Sequence, residues 1–306
     1  MIAGRDVPVD ASVLVGSVNG GEWIHVLLEA LEAQRTSRPF EVIVADRTSD
    51  GTRGRIEREH PRVQVLAAAP GATLPELRTQ ALEAARGRHV FVTEDHTVPP
   101  LDWIERFASA LDAAPDTIVA VGGPVDNLMV GGSVDWAAFL CEYSHCLPPL
   151  PAGEVGWLTG NNVVYPRELL ARYQSVIDRG GWENLLHDAF RNDGIPLVCH
   201  PEIEVSHKKH YTVGEYASQR YLYSRSYAGV RFPNASLGAR LARSLAAMAL
   251  PPILFARTVS RVMPKRRFRG ELVRSLPLLV VFVTAWAAGE VVGYLAGPGD
   301  SLARVC

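Results

Sequence analysis

A chain of 306 residues, 47% hydrophobic, with 31 basic against 33 acidic side chains and a net charge of −2, can bury one large core with an appendage. That balance provides no global basic field, which argues against nucleic acid as a partner. Cys141, Cys146, Cys199 and Cys306 show no CxxC spacing and follow no cleavable signal peptide, so buried free thiols in a reducing compartment are expected.

Residues 11–18 read ASVLVGSV, a β-branched run closing on Asn19-Gly20-Gly21, and residues 22–34 place Trp23, Val26, Leu27, Ala30 and Leu31 on one helical face. A second strand over 40–45 ends in the polar turn DRTSDGT at 46–52. A short charged helix over 53–59, a third strand over 63–67 and a helix over 74–86, capped by Gly87, come next. Such alternation predicts an α/β fold with a mainly parallel sheet between helices.

The fourth strand carries the motif around which the rest is arranged. Residues 89–103 read HVFVTEDHTVPPLDW: an apolar run ends in Glu94, Asp95 and His96, and Pro99 and Pro100 forbid its continuation. The C-terminal mouth of a buried strand is where open α/β sheets bind ligands. Residues at i and i+2 of an extended segment point the same way, so Glu94 and His96 are expected to grip one cation while Asp95 faces elsewhere.

A helix over 102–113 and a strand over 117–121 follow, then a less regular stretch whose Trp136, Phe139 and Tyr143 suit an acceptor cleft. Residues 197–206 read as a last strand, ahead of His207-Lys208-Lys209-His210 with its two lysines solvated, and residues 211–232 as a helix.

In register, these pieces resemble an inverting glycosyltransferase of family 2, a group with the GT-A nucleotide-sugar fold, over residues 12–231. Gly16-Ser17-Val18-Asn19 stands at the family's opening strand and turn, which implies donor contacts at Ser17 and Asn19. EVIVADRTSDGT at 41–52 resembles the second strand, whose acidic end binds the nucleotide base; that role falls to Asp46. Arg78 is retained from the family's Arg-Asn pair, with Thr79 replacing Asn, and is expected to hold a phosphate in its planar fork. Glu94-Asp95-His96 sits where the family has DxD, implying Asp95 on the donor and Glu94, His96 and the strand-end His207 around a metal. WLTGNNVVYP at 157–166 resembles the segment beside the acceptor and assigns Trp157, Gly160, Asn161 and Asn162 to it.

GGWENLLHDAFRNDG at 180–194 resembles the segment in which a Glu-Asp pair opens a helix; here the pair is Glu183-Asn184. Inverting transfer needs one base opposite the leaving diphosphate. Asn184 cannot act as one, so the role falls to Glu183, with Asp188, beside His187 one turn on, as the alternative. Mn²⁺ or Mg²⁺ would stabilise the departing diphosphate. An imidazole ligand shifts preference toward Mn²⁺ and weakens binding as His96 protonates below about pH 6.5; the alternative is His96 on phosphate without a metal. Gln219-Arg220 lacks the complete QxxRW of processive polymerases, which implies a single transfer per encounter.

The C-terminal part changes solvent. Residues 276–297 are 22 in number with one charge, Glu290, enough for a hydrocarbon core of about 30 Å. Residues 245–256 are interrupted by Pro251-Pro252, and 263–275 carry five basic residues and one acidic. The expected layout is a GT-A domain over 1–235, an interfacial or re-entrant segment over 236–262, a basic loop over 263–275 on anionic lipid head groups, and a transmembrane helix over 276–297. Helices of a soluble core or dimer interface are the alternative. The whole reads as an enzyme at the cytoplasmic face of the cell membrane, moving one sugar from a nucleoside diphosphate sugar to a lipid-linked or saccharide acceptor. The opposing reading is a non-catalytic membrane scaffold that keeps the nucleotide-sugar pocket, suggested by the departures at Thr79, Glu94, His96 and Asn184. A zinc hydrolase on His96, His207 and His210 lacks the ligand pairing such sites need.

Overall fold

The computed structural model describes residues 2–3, 7–18, 20–113, 119–129 and 132–305. The chain forms two compact units, residues 1–126 with 148–208 and residues 127–147 with 209–306.

In the first unit β1 (Ala11–Ser17), β2 (Phe40–Asp46), β3 (Gln64–Ala67) and β4 (His89–Glu94) run parallel, joined by α1 (Glu22–Glu32), α2 (Thr52–Glu59) and α3 (Leu74–Ala84). β5 (Thr97–Val98), α4 (Trp103–Asp112), β6 (Ala120–Gly122) and β7 (Val125–Asn127) follow. After residue 148 come β8 (Gly153–Glu154), β9 (Val163–Pro166), α6 (Arg167–Arg172), α7 (Gln174–Ile177), α8 (Asn184–Asn192), β10 (Leu197–Cys199) and β11 (Val205–His207). The large sheet has the order β3-β2-β1-β4-β9-β6-β10-β8 and is mixed, because β9 lies antiparallel to both β4 and β6. A small second sheet has the order β5-β11-β7.

β1 and β2 are buried along their whole length, as unbroken apolar runs covered on both faces must be. Leu77 and Ala81 of α3 pack with Leu14, Ile43 and Val92 of the sheet. α3 starts on a reciprocal capping box, Thr73 with Glu76. It ends at Ala84, short of Gly87, which is therefore not its cap. Gly87 instead lets the chain cross β1: a Cβ there would stand 2.5 Å from the Ala11 carbonyl carbon. The expected single strand over 197–206 is two strands in different sheets. Pro201, without an N–H, breaks the ladder, and Ile203 N closes a turn on His200 O at 3.0 Å. Asn19 and the first two residues of the strand expected over 117–121 lie outside the described residues.

The second unit is helical: α5 (Ser133–Tyr143), α9 (Val213–Arg231), α10 (Leu237–Ala247), α11 (Leu250–Val262), a 3₁₀ turn at Arg266–Phe268 and α12 (Arg269–Ala296). α5 replaces the irregular aromatic stretch, and its Trp136, Phe139 and Tyr143 are buried, so they pack this unit instead of lining an open cleft. Where the sequence reading parts the chain at 235, residues 209–235 belong with the C-terminal helices. The reason is the crossing of α9 and α12: Gly289 and Gly293 bring α12 so close to α9 that a Cβ on either would overlap a carbonyl oxygen, of Tyr221 or Arg225. This is small-residue packing at a four-residue spacing.

Most of the expected basic loop is helical as well, since α12 begins at Arg269. One helix, Arg266–Ala296, is long enough and, in an 18-residue window of mean hydropathy 1.9, apolar enough to cross a membrane, and α10 with α11, bent by 48°, pass the same test as a pair. Glu290 is held within α12, accepting from Trp286 Nε1 at 3.0 Å and from the Tyr294 hydroxyl at 3.3 Å.

Candidate active site

The parallel register of β1, β2 and β4 delivers three side chains to one sheet edge: Ser17 stands beside Asp46, and Gly16 beside Glu94. Asp46 is buried and accepts from Thr48 N at 3.3 Å and Thr48 Oγ1 at 3.1 Å, a turn that fixes the chain leaving β2. The Ser17 hydroxyl is buried and, among the described residues, has no hydrogen-bond partner. At the end of β4, Asp95 Oδ2 accepts from Val18 N at 3.3 Å, and Asp95 Oδ1 lies 2.7 Å from His96 Nδ1. Asp95 thus ties the motif to the β1 turn and orients the imidazole, leaving His96 Nε2 3.3 Å from Glu94 Oε2.

β11 returns beside β5 and sets the His207 ring edge-on to His96, with centroids 4.6 Å apart. Lys208 N then donates to His96 O at 2.8 Å, and its ammonium lies 4.8 Å from the centre of the Trp23 ring. The sequence reading takes Lys208 as solvated; the structure anchors it next to the acidic motif.

Arg78 of α3 is 1% exposed, not a surface residue. It donates to the Glu183 carboxylate, to Glu94 Oε1 at 3.3 Å and to Gly160 O at 3.1 Å. Its two terminal nitrogens are therefore engaged by two carboxylates and a carbonyl, while Nε, buried, has no hydrogen-bond partner among the described residues. Burial acts to lower the Arg78 pKa, but the charges of Glu183 and Glu94 outweigh it and raise the pKa. Burial likewise acts to raise the Glu94 pKa, yet the His96 hydrogen bond and the charges of His96, Arg78 and His207 hold it well below the usual carboxylate range.

Glu183 occupies the position before α8 but makes no capping bond, its side chain being turned to Arg78. Its φ of 52° is the only positive value among the described non-glycine residues. Such a backbone costs on the order of 1–3 kcal/mol and persists only where the surroundings over-determine it. Those surroundings are visible. Trp182, buried, donates from Nε1 to Thr79 Oγ1 at 3.0 Å, so Thr79, next to Arg78 on α3, anchors the Glu183 turn. Gly160 leaves the room: a Cβ there would overlap the Glu183 side chain.

The remaining expected residues divide. Asn161 joins the cluster, with Nδ2 3.5 Å from Glu94 Oε2 and its carbonyl taken by Thr93 Oγ1 at 3.0 Å. Trp157 Nε1 donates to Asn184 Oδ1 at 2.7 Å, which gives Asn184 a positioning use although it cannot be a base. Asn162 is a framework residue, not an exposed acceptor contact. It is fully buried, its oxygen accepts from Trp103 Nε1 at 2.9 Å, and its amide donates to Pro124 O at 2.9 Å and Ile203 O at 2.8 Å. Asp188 is not brought to Arg78 and Glu94; it lies on the exposed face of α8, paired with Arg191. His187 points inward, 2.8 Å from the Tyr165 hydroxyl, and burial pushes its pKa down to about 3.

Glu94 Oε2 and His96 Nε2, 3.3 Å apart, are spaced as two ligands of one cation. Two protein donors completed by substrate phosphates suit Mg²⁺ or Mn²⁺. His207 packs against His96, but among the described residues the only three ligand atoms within 4.8 Å of one another lie elsewhere. His210 pairs with Asp135 at 2.6 Å in the helical unit.

With this geometry established, residues 12–135 match the family model "Glycosyl transferase family 2". The chain is a glycosyltransferase enzyme. Solved structures share its fold. Mannosyltransferase PcManGT from Pyrobaculum calidifontis, in complex with GDP-Man and Mn²⁺, aligns with a TM-score of 0.56 at 18% identity, covering 94% of this chain and 89% of that one. S. aureus TarS 1–349 in complex with UDP aligns with a TM-score of 0.50 at 15% identity, covering 89% and 90%. GalNAc-T7 with UDP, GalNAc and Mn²⁺ aligns at 0.51 and 13%, covering 72% and 51%. No curated protein sequence matches the chain. The mixed sheet is consistent with the GT-A fold expected from the sequence.

Proposed function

We propose that this glycosyltransferase moves a single sugar, with inversion, from a nucleoside diphosphate sugar to a lipid-linked or membrane-near acceptor, with Glu183 as the base. The observation that carries the reading is the bridge made by buried Arg78 between Glu94, at the strand edge that receives the donor, and Glu183, in its strained turn. Glu183 takes the proton of the acceptor hydroxyl, the hydroxyl oxygen bonds to the anomeric carbon, and the bond to the diphosphate breaks with its electron pair leaving on phosphate. Arg78 fixes where Glu183 stands.

Ser17, Asn19, Asp46 and Asp95 are assigned to the donor, and the unpartnered Ser17 hydroxyl is available for it. Glu94 and His96 would hold a divalent cation, which would supply charge stabilisation to the leaving diphosphate. PcManGT with GDP-Man and Mn²⁺, and TarS with UDP, support the donor class and the cation. The apolar α12 and the basic residues before it support an enzyme anchored at the cytoplasmic face of a membrane, which motivates the lipid-linked acceptor.

The test is release of diphosphate from UDP-, GDP- and dTDP-sugars by detergent-extracted protein, with membrane lipid extract or soluble saccharides as acceptor and with Mn²⁺, Mg²⁺ or chelator. Metal-stimulated release from one donor, increased by the lipid extract, is expected. Nucleotide binding without release under every condition would overturn the catalytic reading in favour of a scaffold, and transfer to soluble saccharides alone would overturn the lipid acceptor.

A further inference from the structure

Away from the strand edge, α1 and α2 bring two buried imidazoles together. His25, in the first turns of α1, and His60, immediately after α2, are 5% and 4% exposed. His25 Nδ1 lies 3.2 Å from His60 Nε2 and 3.4 Å from Glu59 Oε2. The other nitrogen of His60, Nδ1, lies 3.0 Å from Glu32 Oε1 at the end of α1.

Proton arithmetic makes this arrangement unusual. If Glu32 takes the Nδ1–H of a neutral His60, then His60 Nε2 presents a lone pair. His25 Nδ1 has at most one hydrogen, and both that lone pair and the Glu59 carboxylate face it. Three ligand atoms thus share one proton, and they are the group within 4.8 Å of one another noted above.

We infer that His25, His60 and Glu59 form a second metal site, for a borderline transition-metal cation of the Zn²⁺ class, that clasps α1 to the end of α2. Bonds of about 2.0–2.1 Å meeting at tetrahedral angles set donor atoms about 3.3 Å apart, close to both separations measured from His25 Nδ1. Glu32 is the outer carboxylate that orients a ligating histidine. Glu59 is 46% exposed, so solvent reaches the fourth position, and it shares its carboxylate with Arg55, 3.0 Å away. Two imidazoles and one carboxylate separate this set from the oxygen-rich one that Mg²⁺ prefers. The consequence is structural. α1 and α2 follow the β1 and β2 ends that present Ser17 and Asp46, and Gly21 N already donates to Thr52 Oγ1 across them at 3.2 Å, so a cation here would stiffen the donor side of the sheet edge.

The experiment adds Co²⁺ to chelator-stripped full-length protein and records visible absorption, then displaces the Co²⁺ with Zn²⁺. One equivalent with the intense absorption of tetrahedral cobalt is expected. It should persist in Glu94→Gln, which disables the active-site pair, and vanish in a His25→Gln/His60→Gln double variant. Glu32→Gln, at a half-exposed position that does not threaten folding, should weaken Zn²⁺ by about 10–100-fold. Equal Co²⁺ uptake and spectrum in the wild type and the double variant, or undiminished Zn²⁺ affinity in Glu32→Gln, would overturn the assignment.

Discussion

At the scale of single residues, the site is a buried guanidinium between two carboxylates, and its behaviour follows from charge. Replacing Arg78 with Met leaves Glu183 without its guanidinium and Glu94 with His96 alone beside it, and breaking a buried pair from one side costs about 3–5 kcal/mol. Urea denaturation should show a loss of that size, partly restored by adding Glu183→Gln. Gly160→Ala tests geometry separately: the new methyl group overlaps the Glu183 side chain, so turnover should fall sharply for a stability loss of only about 1–3 kcal/mol. The pH dependence has a definite sign. His187 is held near a pKa of about 3 by burial, against about 6.5 when unfolded. The unfolded chain therefore binds the extra proton between those values, and stability is full above about pH 6.5 and declines as pH falls through that window. Glu94, also depressed, adds a decline of the same sign at lower pH. Melting temperatures from pH 7 to 4 should drop, with a shallower slope in His187→Gln. Glu94 was legible as the polar end of an apolar strand, but the i, i+2 reading fails beyond it: Asp95 and His96 form a turn ahead of β5, and Asp95 faces the His96 ring instead of turning away from it. The link from Thr79 to Trp182, 103 positions apart, has no local signal, and neither have the carboxylates that meet Arg78 from 16 and 105 positions away.

At the scale of elements, the parallel half of the sheet could be read from alternating apolar runs and turns, and β1 to β4 fall where they were expected. The later elements are short, and tertiary contacts decide them. Pro201 splits one apparent strand into two sheets, and α5 is buried nearly all round, so although Trp136, Phe139 and Tyr143 share one side at i, i+3 and i+7, it has no polar face to mark it as an amphipathic helix. The α9–α12 crossing depends on backbone approaching backbone. Gly293→Val puts a branched side chain against Arg225 O and Ala228, where neither neighbour has slack. Limited proteolysis should find the C-terminal helices of that variant loosened while diphosphate-sugar binding by the first unit persists.

At the scale of the whole chain, length and hydropathy single out α12, whereas composition alone could not show that residues 127–147 and 209–235 share its unit. The basic residues ahead of α12 include Arg266 and Arg267, both exposed. If the enzyme works at an anionic surface, each contributes about 1 kcal/mol to its attraction. Arg266→Ser/Arg267→Ser should then reduce co-sedimentation with anionic vesicles by about ten- to thirtyfold, with binding to neutral vesicles unchanged.

Glu183 as the base of sugar transfer is tested most directly by single-turnover transfer from whichever diphosphate sugar the release assay selects, by wild type, Glu183→Gln and Asp188→Asn, with donor affinity measured alongside. Glu183→Gln should bind donor as the wild type does but transfer no sugar, while Asp188→Asn should transfer normally. Transfer at the native rate by Glu183→Gln, or its loss in Asp188→Asn alone, would contradict that role for Glu183.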